Sequence, residues 1–293
     1  MLTAEILQRR IDTAEAMQSL VKTMKALAAV NINQFEQAVR SLADYDRTVQ
    51  LGLQALLREQ PQAALSARAA SGGRLGVVVF GSDQGMCGQL NGQIARFAIR
   101  EMDRLDAASS DRLTFAVGQR AAGELEEAGR SVEGTLPVPS STSGITPAVQ
   151  DLLLQIETWH SERQVQRVVL YYCQHLSGAS YRPHAVQLLP IDRAWLERLQ
   201  GQKWPTHVLP AFAMDPDHLF SALVRQYLFV SLYRALAESM ASENASRLAA
   251  MQSAERNIGD RLDDLTRQFH QQRQTAITSE LLDIAAGFEA LTE

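Results

Sequence analysis

Residues 4–58 read AEILQRRIDTAEAMQSLVKTMKALAAVNINQFEQAVRSLADYDRTVQLGLQALLR, with no Pro and a single Gly, Gly52. Every seventh residue from Leu7 is apolar: Leu7, Ala14, Val21, Ala28, Phe35, Leu42, Val49 and Leu56. A companion set three residues on (Arg10, Met17, Met24, Asn31, Ala38, Tyr45, Gly52) is mixed. A seven-residue repeat sustained on one face implies a left-handed supercoil with a partner helix. At about 1.5 Å per residue the helix would be on the order of 80 Å long. Such a helix cannot bury its stripe alone.

The partner lies at the other end of the chain. No Pro follows Pro216, and Gly259 is the glycine in the middle of that segment. Its seam runs Phe220, Leu223, Tyr227, Val230, Ala237, Ala241, Leu248, Met251, Ile258, Leu262, Leu265 and Phe269, interrupted by Arg234, Asn244 and Glu255. After Arg273 the apolar face shifts register to Ile277, Leu281, Ile284, Phe288 and Leu291. A helix of roughly 70 residues spans about 105 Å. The two helices are expected to bury each other as one long antiparallel coiled coil.

Between them the period changes. Residues 60–74 carry Pro61, Ser66, Ser71, Gly72 and Gly73 and suit a linker. Leu75–Phe80, Leu113–Val117, Val165–Gln174 and His184–Pro190 suit strands. Gly92–Leu105, Gln119–Ala128 and Thr146–Glu162 suit helices. Strands alternating with helices predict an inserted, Rossmann-like α/β domain with mostly parallel strand order. The expected fold is therefore mixed α+β and α/β. Its parts are an N-terminal helix over 1–58, a linker over 59–74, the α/β domain over 75–215 and a C-terminal helix over 216–293.

Composition sets limits on function. Charged residues make up 21% of the 293, the net charge is −5, and no run of Lys or Arg forms a nucleic-acid footprint. Two cysteines, Cys87 and Cys173, argue against a disulfide framework. Residues 1–5 lack the apolar core of a secretory leader. No window approaches the roughly 18–20 apolar residues of a membrane span, so direct membrane insertion is not expected.

The candidate chemistry is thin. Gly81–Asn91 (GSDQGMCGQLN) follows a strand and opens a helix, a place where phosphates bind. It lacks a Gly-Lys-Ser/Thr ending and G-x-G-x-x-G spacing. Cys87 would gain acidity near a helix N-terminus, but no His or carboxylate is placed beside it, and a small residue in a tight turn is the simpler reading. Cys173 suits a strand core. The six histidines are scattered without metal-ligand spacing. Asp263-Asp264 and Glu126-Glu127 suit solvated helix faces. No catalytic residue, metal site or cofactor is expected. Lys22, Arg247, Gln252, Arg273, Gln274, Thr278 and Glu280 lie on or beside the seam. They serve either the register of the helix pair or contact with a surrounding partner.

Three blocks, in order, carry a resemblance along nearly the whole chain. The first is Ile11, Lys22, Met24 and Ala28-Ala29. The second is the Gly81–Asn91 loop, similar to G-S-D-R-G-L-C-G-G-L-N. The third is Ser242–Met251, similar to S-E-x-A-x-R-x-x-A-M, followed by Asn257 and by Arg273–Ile284, similar to R-Q-x-x-I-T-x-E-L-x-E-I. The chain resembles the gamma subunits of F-type ATP synthases. The resemblance implies a non-catalytic central stalk that turns inside the ring of alpha and beta subunits. The foot would bind the epsilon subunit and the c-ring, at the cytoplasmic side of a bacterial inner membrane. It implies rotor–stator contacts at Lys22, Met24, Arg247, Gln252, Arg273, Gln274, Thr278 and Glu280, and a bearing tip at Ile284, Phe288 and Leu291.

The sequence also departs from the family. Gln84 stands in place of Arg, Gln89 in place of Gly, and Val30–Asn33 in place of Ser-Lys-Met-Arg. Lys25 replaces an acidic residue, and His270 replaces the Asn of a Tyr-Asn pair. These imply a divergent bacterial branch. The residues alone leave open a nucleotide-dependent α/β enzyme with dimerising helices, or a generic coiled-coil scaffold.

Overall fold

A computed structural model describes residues 4–59, 73–105, 111–208 and 210–292, with side chains up to 285. The expected linker at 60–72 lies outside the described residues. Two long helices bracket the chain: α1 is Ala4–Glu59, 56 residues, and α6 is Pro216–Thr292, 77 residues. Between them come β1 Arg74–Phe80, α2 Leu90–Arg104, β2 Arg112–Val117, α3 Gln119–Glu127, β3 Gly134–Leu136, α4 Ile145–Arg163, β4 Val165–Ser177, β5 Ser180–Leu189 and α5 Arg193–Gly201. No described helix is long and apolar enough to cross a membrane.

The strands form one sheet in the order β3-β2-β1-β4-β5. β3, β2, β1 and β4 run parallel, and β5 returns antiparallel along β4. The sheet is covered on both faces, so its central strands are apolar at nearly every position rather than alternating. Leu75, Val77 and Val79 of β1, with Val169, Tyr171 and Cys173 of β4, pack with Leu90, Ile94, Ala98 and Met102 of α2. Val78 and Phe80, with Val168, Leu170 and Tyr172, take the opposite face with Ile145, Leu152, Ile156 and Trp159 of α4. Phe35 of α1 and Leu232, Leu236, Ala237 and Met240 of α6 join that second core.

The chain divides into two compact units, Ala29–Arg247 and Met1–Ala28 with Leu248–Glu293. In each unit α1 and α6 run antiparallel. In the larger unit Asn31 bonds Asn244, Asp46 pairs with Arg234, and Gly52 faces Leu223. A Cβ at Gly52 would stand 2.9 Å from a Leu223 methyl, so the glycine permits the close approach of these helices. In the smaller unit Leu7 and Ile11 pack with Leu262, Leu265 and Phe269.

The heptad reading of α1 gains one addition. All eight residues of the expected stripe are buried or half-buried; the set three residues on is mixed as expected, with Met24, Asn31, Ala38 and Gly52 half-buried, but a second set four residues on is covered throughout. It is Ile11, Gln18, Lys25, Ile32, Val39, Asp46 and Leu53, whereas Met17 and Tyr45 are exposed. Three polar members disguised that set in the sequence. Two further elements escaped notice. β3 is only three residues long. α5 lies between Pro190 and Pro205; Asp192 caps it by accepting from the Ala194 N–H at 2.9 Å. Its Leu196 and Leu199 pack beside Leu53, Leu57 and Tyr227.

Candidate functional site

The glycine-rich loop is held from within. Buried Ser82 donates its N–H to Asn91 Oδ1 (2.9 Å), and Asn91 Nδ2 returns a bond to Ser82 Oγ (2.8 Å) and another to Cys87 Sγ (3.4 Å). Ser82 is thus locked to the first turn of α2. Asp83 braces the neighbouring loops: its two carboxylate oxygens accept from the N–H groups of Gln119 (2.9 Å) and Val138 (2.7 Å). The Ser82 N–H and hydroxyl and the Asn91 amide are thus occupied within the loop itself. Cys87 is buried, touching Ser82, Gln84 and Asn91, which is the contact set of a turn residue. Cys173 sits in the β4 core, where burial pushes its thiol up to about 12, so it stays protonated at neutral pH.

The Ser242–Met251 block meets this loop. Ser246 Oγ donates to the Cys87 carbonyl (2.6 Å), and Ser242 Oγ donates to the Cys173 carbonyl (2.7 Å). Gly88 lies opposite: its φ of +57° suits glycine, and an added Cβ would stand 3.1 Å from Ser246 Oγ. The loop and the α6 motif are therefore two halves of one joint. Small hydroxyl residues at 242 and 246, one helical turn apart, let α6 approach the sheet end closely and satisfy two carbonyls there. Around the joint α6 is buried on all sides from Ala235 to Ser246, with only Glu238 half-buried.

Beside the joint lies a cavity of about 220 Å³ lined by Asn31, Asp83, Gln84, Ser140, Glu243 and Arg247, among others. Arg247 is half-buried and pairs with Glu243 at 2.6 Å. Burial pushes the Glu243 carboxyl up and the Arg247 guanidinium opposes it. Among the expected contact residues, Met24 and Arg247 are half-buried. Lys22, Gln252, Arg273, Gln274, Thr278 and Glu280 are exposed. Ile284 is 70% exposed, and its neighbours Leu281 and Leu282 are 62% and 65% exposed. The side chains of Phe288 and Leu291 lie outside the described residues. Among those described, no cluster of His, Cys, Asp and Glu is arranged to hold a metal ion.

The interruptions of the α6 seam, unexplained in the sequence, each meet a polar residue of α1. Glu255 pairs with Lys25 (2.5 Å), Asn244 with Asn31 (3.2 Å) and Arg234 with Asp46 (2.5 Å). The hydrogen bond from Lys25 holds the Glu255 carboxyl below the usual carboxylate range. Lys25, a departure from the resemblance, is thus matched across the helix pair. Only the companion set four residues on, read against the other helix, points to Lys25 and Asp46 beforehand.

Both motifs are spent on joining a helix pair to a small doubly wound domain. That arrangement defines a class of protein in which two long terminal helices flank an inserted α/β domain. The chain belongs to the ATP synthase family, whose model matches residues 3–291. It is similar to the ATP synthase gamma chain of Nostoc punctiforme, at 28% identity over 100% of both chains. It is similar also to that of Thermobifida fusca, at 29% identity over 98% of this chain and 95% of the relative. Among solved structures it resembles a chain of the Euglena gracilis mitochondrial ATP synthase rotor (16% identity, TM-score 0.62, 94% of this chain and 98% of that one). It also resembles a chain of the Tetrahymena thermophila central stalk and c-ring (21% identity, TM-score 0.56, 80% and 99%). Members bearing the gamma-chain name are non-catalytic subunits, and this chain is one of that kind.

Proposed function

We propose that this chain is the rotating central stalk of an F-type ATP synthase, coupling ion flow through the c-ring to ATP synthesis or hydrolysis in the beta subunits. The observation that carries the reading is the end-to-end match to gamma chains, over residues 3–291. In this reading the N-terminal and C-terminal helices pair antiparallel as a coiled coil, and residues 75–215 form the inserted α/β domain. The partners are the alpha and beta subunits around the coiled coil, with the epsilon subunit and c-ring at its foot. The complex sits at the cytoplasmic side of a bacterial inner membrane.

The mechanics follow from differential contact. A stalk that presents a different face to each beta subunit favours a different conformation in each, and rotation moves that preference around the ring. The stalk must resist twisting, and a close-packed helix pair does so because its interior is not compressible. Exposed Lys22, Gln252, Arg273, Gln274, Thr278 and Glu280, with half-buried Met24 and Arg247, are assigned to contacts with the surrounding ring. Ile284, together with Phe288 and Leu291, is assigned to the bearing: apolar side chains make few directional bonds and so give low friction.

Co-expression with cognate alpha and beta subunits tests the reading. The expected product holds one copy of this chain per three beta subunits and hydrolyses ATP, while the chain alone does not. Nucleotide binding by the isolated chain would instead favour an α/β enzyme. A self-associated rod that ignores alpha and beta would favour a scaffold.

A further inference from the structure

A regular heptad holds two helices together but does not say where along each other they stop. The α1 stripe is apolar at every seventh position from Leu7 to Leu56. If α6 slid by one heptad, about 10 Å, the stripe would again find apolar residues. In the larger unit the packing of both helices on the sheet and the Ser242 and Ser246 bonds already oppose such a slip; within the helix pair itself, only the polar seam positions can remove the ambiguity.

We propose that the three cross-helix pairs Lys25–Glu255, Asn31–Asn244 and Asp46–Arg234 are register keys that hold α1 and α6 in one axial alignment. The argument lies in what each would meet after a slip. In one direction Lys25 leaves Glu255 for Leu248, Asn31 leaves Asn244 for Ala237, and Asp46 leaves Arg234 for Tyr227. In the other, Lys25 meets Leu262 and Asp46 meets Ala241. Every substitute but Tyr227 is apolar and none carries a charge, so each slip strands charges that are now paired. The side chains of Lys25, Glu255 and Asp46 are 34%, 25% and 13% exposed and that of Arg234 is 41% exposed, so water replaces the lost partners in part, least of all at Asp46. Removing one partner of such a pair is costly, whereas replacing both by apolar residues is often neutral or stabilising. A paired Asn at a seam position likewise selects register at the expense of stability. The keys therefore add specificity, not strength. The consequence for coupling rests on the rotary reading above: a shaft whose helices shift past each other under load loses rotation between its ends.

The test separates alignment from stability. Nitroxide labels go at exposed Ser19 and Arg256 of the full chain. The variant carries Lys25→Met, Glu255→Met, Asn31→Leu, Asn244→Leu, Asp46→Met and Arg234→Met. Unsubstituted chain is expected to give one narrow distance by pulsed electron resonance. The apolar variant should keep its helical content and an equal or higher Tm, yet show a broadened distribution or a second distance displaced by about 10 Å, one heptad. A charge swap, Lys25→Glu with Glu255→Lys, should return the narrow distance that Lys25→Glu alone disturbs. A single narrow distance in the folded apolar variant would overturn the proposal, as would a swap that fails to restore what the single reversal lost. In the assembled complex in vesicles, the apolar variant should transport at least twofold fewer ions per ATP hydrolysed. A broadened distance with unchanged transport would leave the keys standing and overturn their role in rotation.

Discussion

One helix, α6, lives in two environments. From Ala235 to Ser246 it is wrapped by α1 and the sheet, and its Ser242 and Ser246 are bonded to carbonyls of the α/β domain. From Arg273 to Ala285 every described residue is exposed, and Thr278 bonds only back to the Gln274 carbonyl of its own turn. Both stretches carry equally distinctive sequence. In the first, identity answers to internal packing. In the second, exposed Ile277, Leu281 and Ile284 form an apolar face that nothing in its own unit covers among the described residues, and Leu282 beside it is exposed too. Apolar surface of that kind marks a place where another chain sits. In the rotary reading proposed above, that place on the Arg273–Ile284 motif belongs to the surrounding ring.

Substitutions can break that contrast or sharpen it. The largest effect is expected inside the wrapped stretch. Leu236 is 1% exposed, and Leu236→Ala should cost about 2–5 kcal/mol in urea unfolding of the isolated chain. A cost below about 1 kcal/mol would show that this stretch is not the packed core described here. A smaller, pH-dependent effect is expected at Glu238. Burial pushes its carboxyl up, and its Oε2 is buried without a hydrogen-bond partner. The fold thus favours the protonated acid, a contribution present below the ordinary carboxylate pKa and lost as pH rises through the raised one. Glu238→Gln, uncharged throughout, should match the parent near pH 4 and exceed its Tm by about 2 °C at pH 8. A Tm difference that does not grow with pH would contradict the assignment. The smallest stability effect belongs to the bare stretch: Leu281→Ser with Ile284→Ser should shift unfolding by no more than about 0.5 kcal/mol. The same pair should lower ATP hydrolysis or ion coupling once assembled with alpha and beta. Loss of stability without loss of coupling would place this face in the chain's own core.

Much of the architecture was legible because it rests on period. The seven-residue stripe from Leu7 and the apolar runs at Leu75–Phe80 and Val165–Gln174 fall in the helix and strands they foretold, and β5 alone runs against its neighbour. Short elements were not legible. β3 draws its order from parallel pairing with β2, and α5 from Leu196 and Leu199 meeting the long helices, neither of which is a local signal. Among the candidate residues, the turn reading of Cys87 needed no structure, whereas the role of Asp83 did. A single carboxylate spanning Gln119 and Val138 joins positions far apart in the chain.

By itself, then, the sequence determined that two long helices must find partners, that a parallel sheet lies between them, and which family's motifs the chain carries. Periodicity and motif order are properties of one chain read in line. Only the tertiary structure decided what the polar breaks in the seam were for. Lys25 and Glu255, like Asp46 and Arg234, lie about two hundred residues apart in sequence. A charge at a core position looks like a defect until the opposite helix brings its counter-charge within hydrogen-bonding distance.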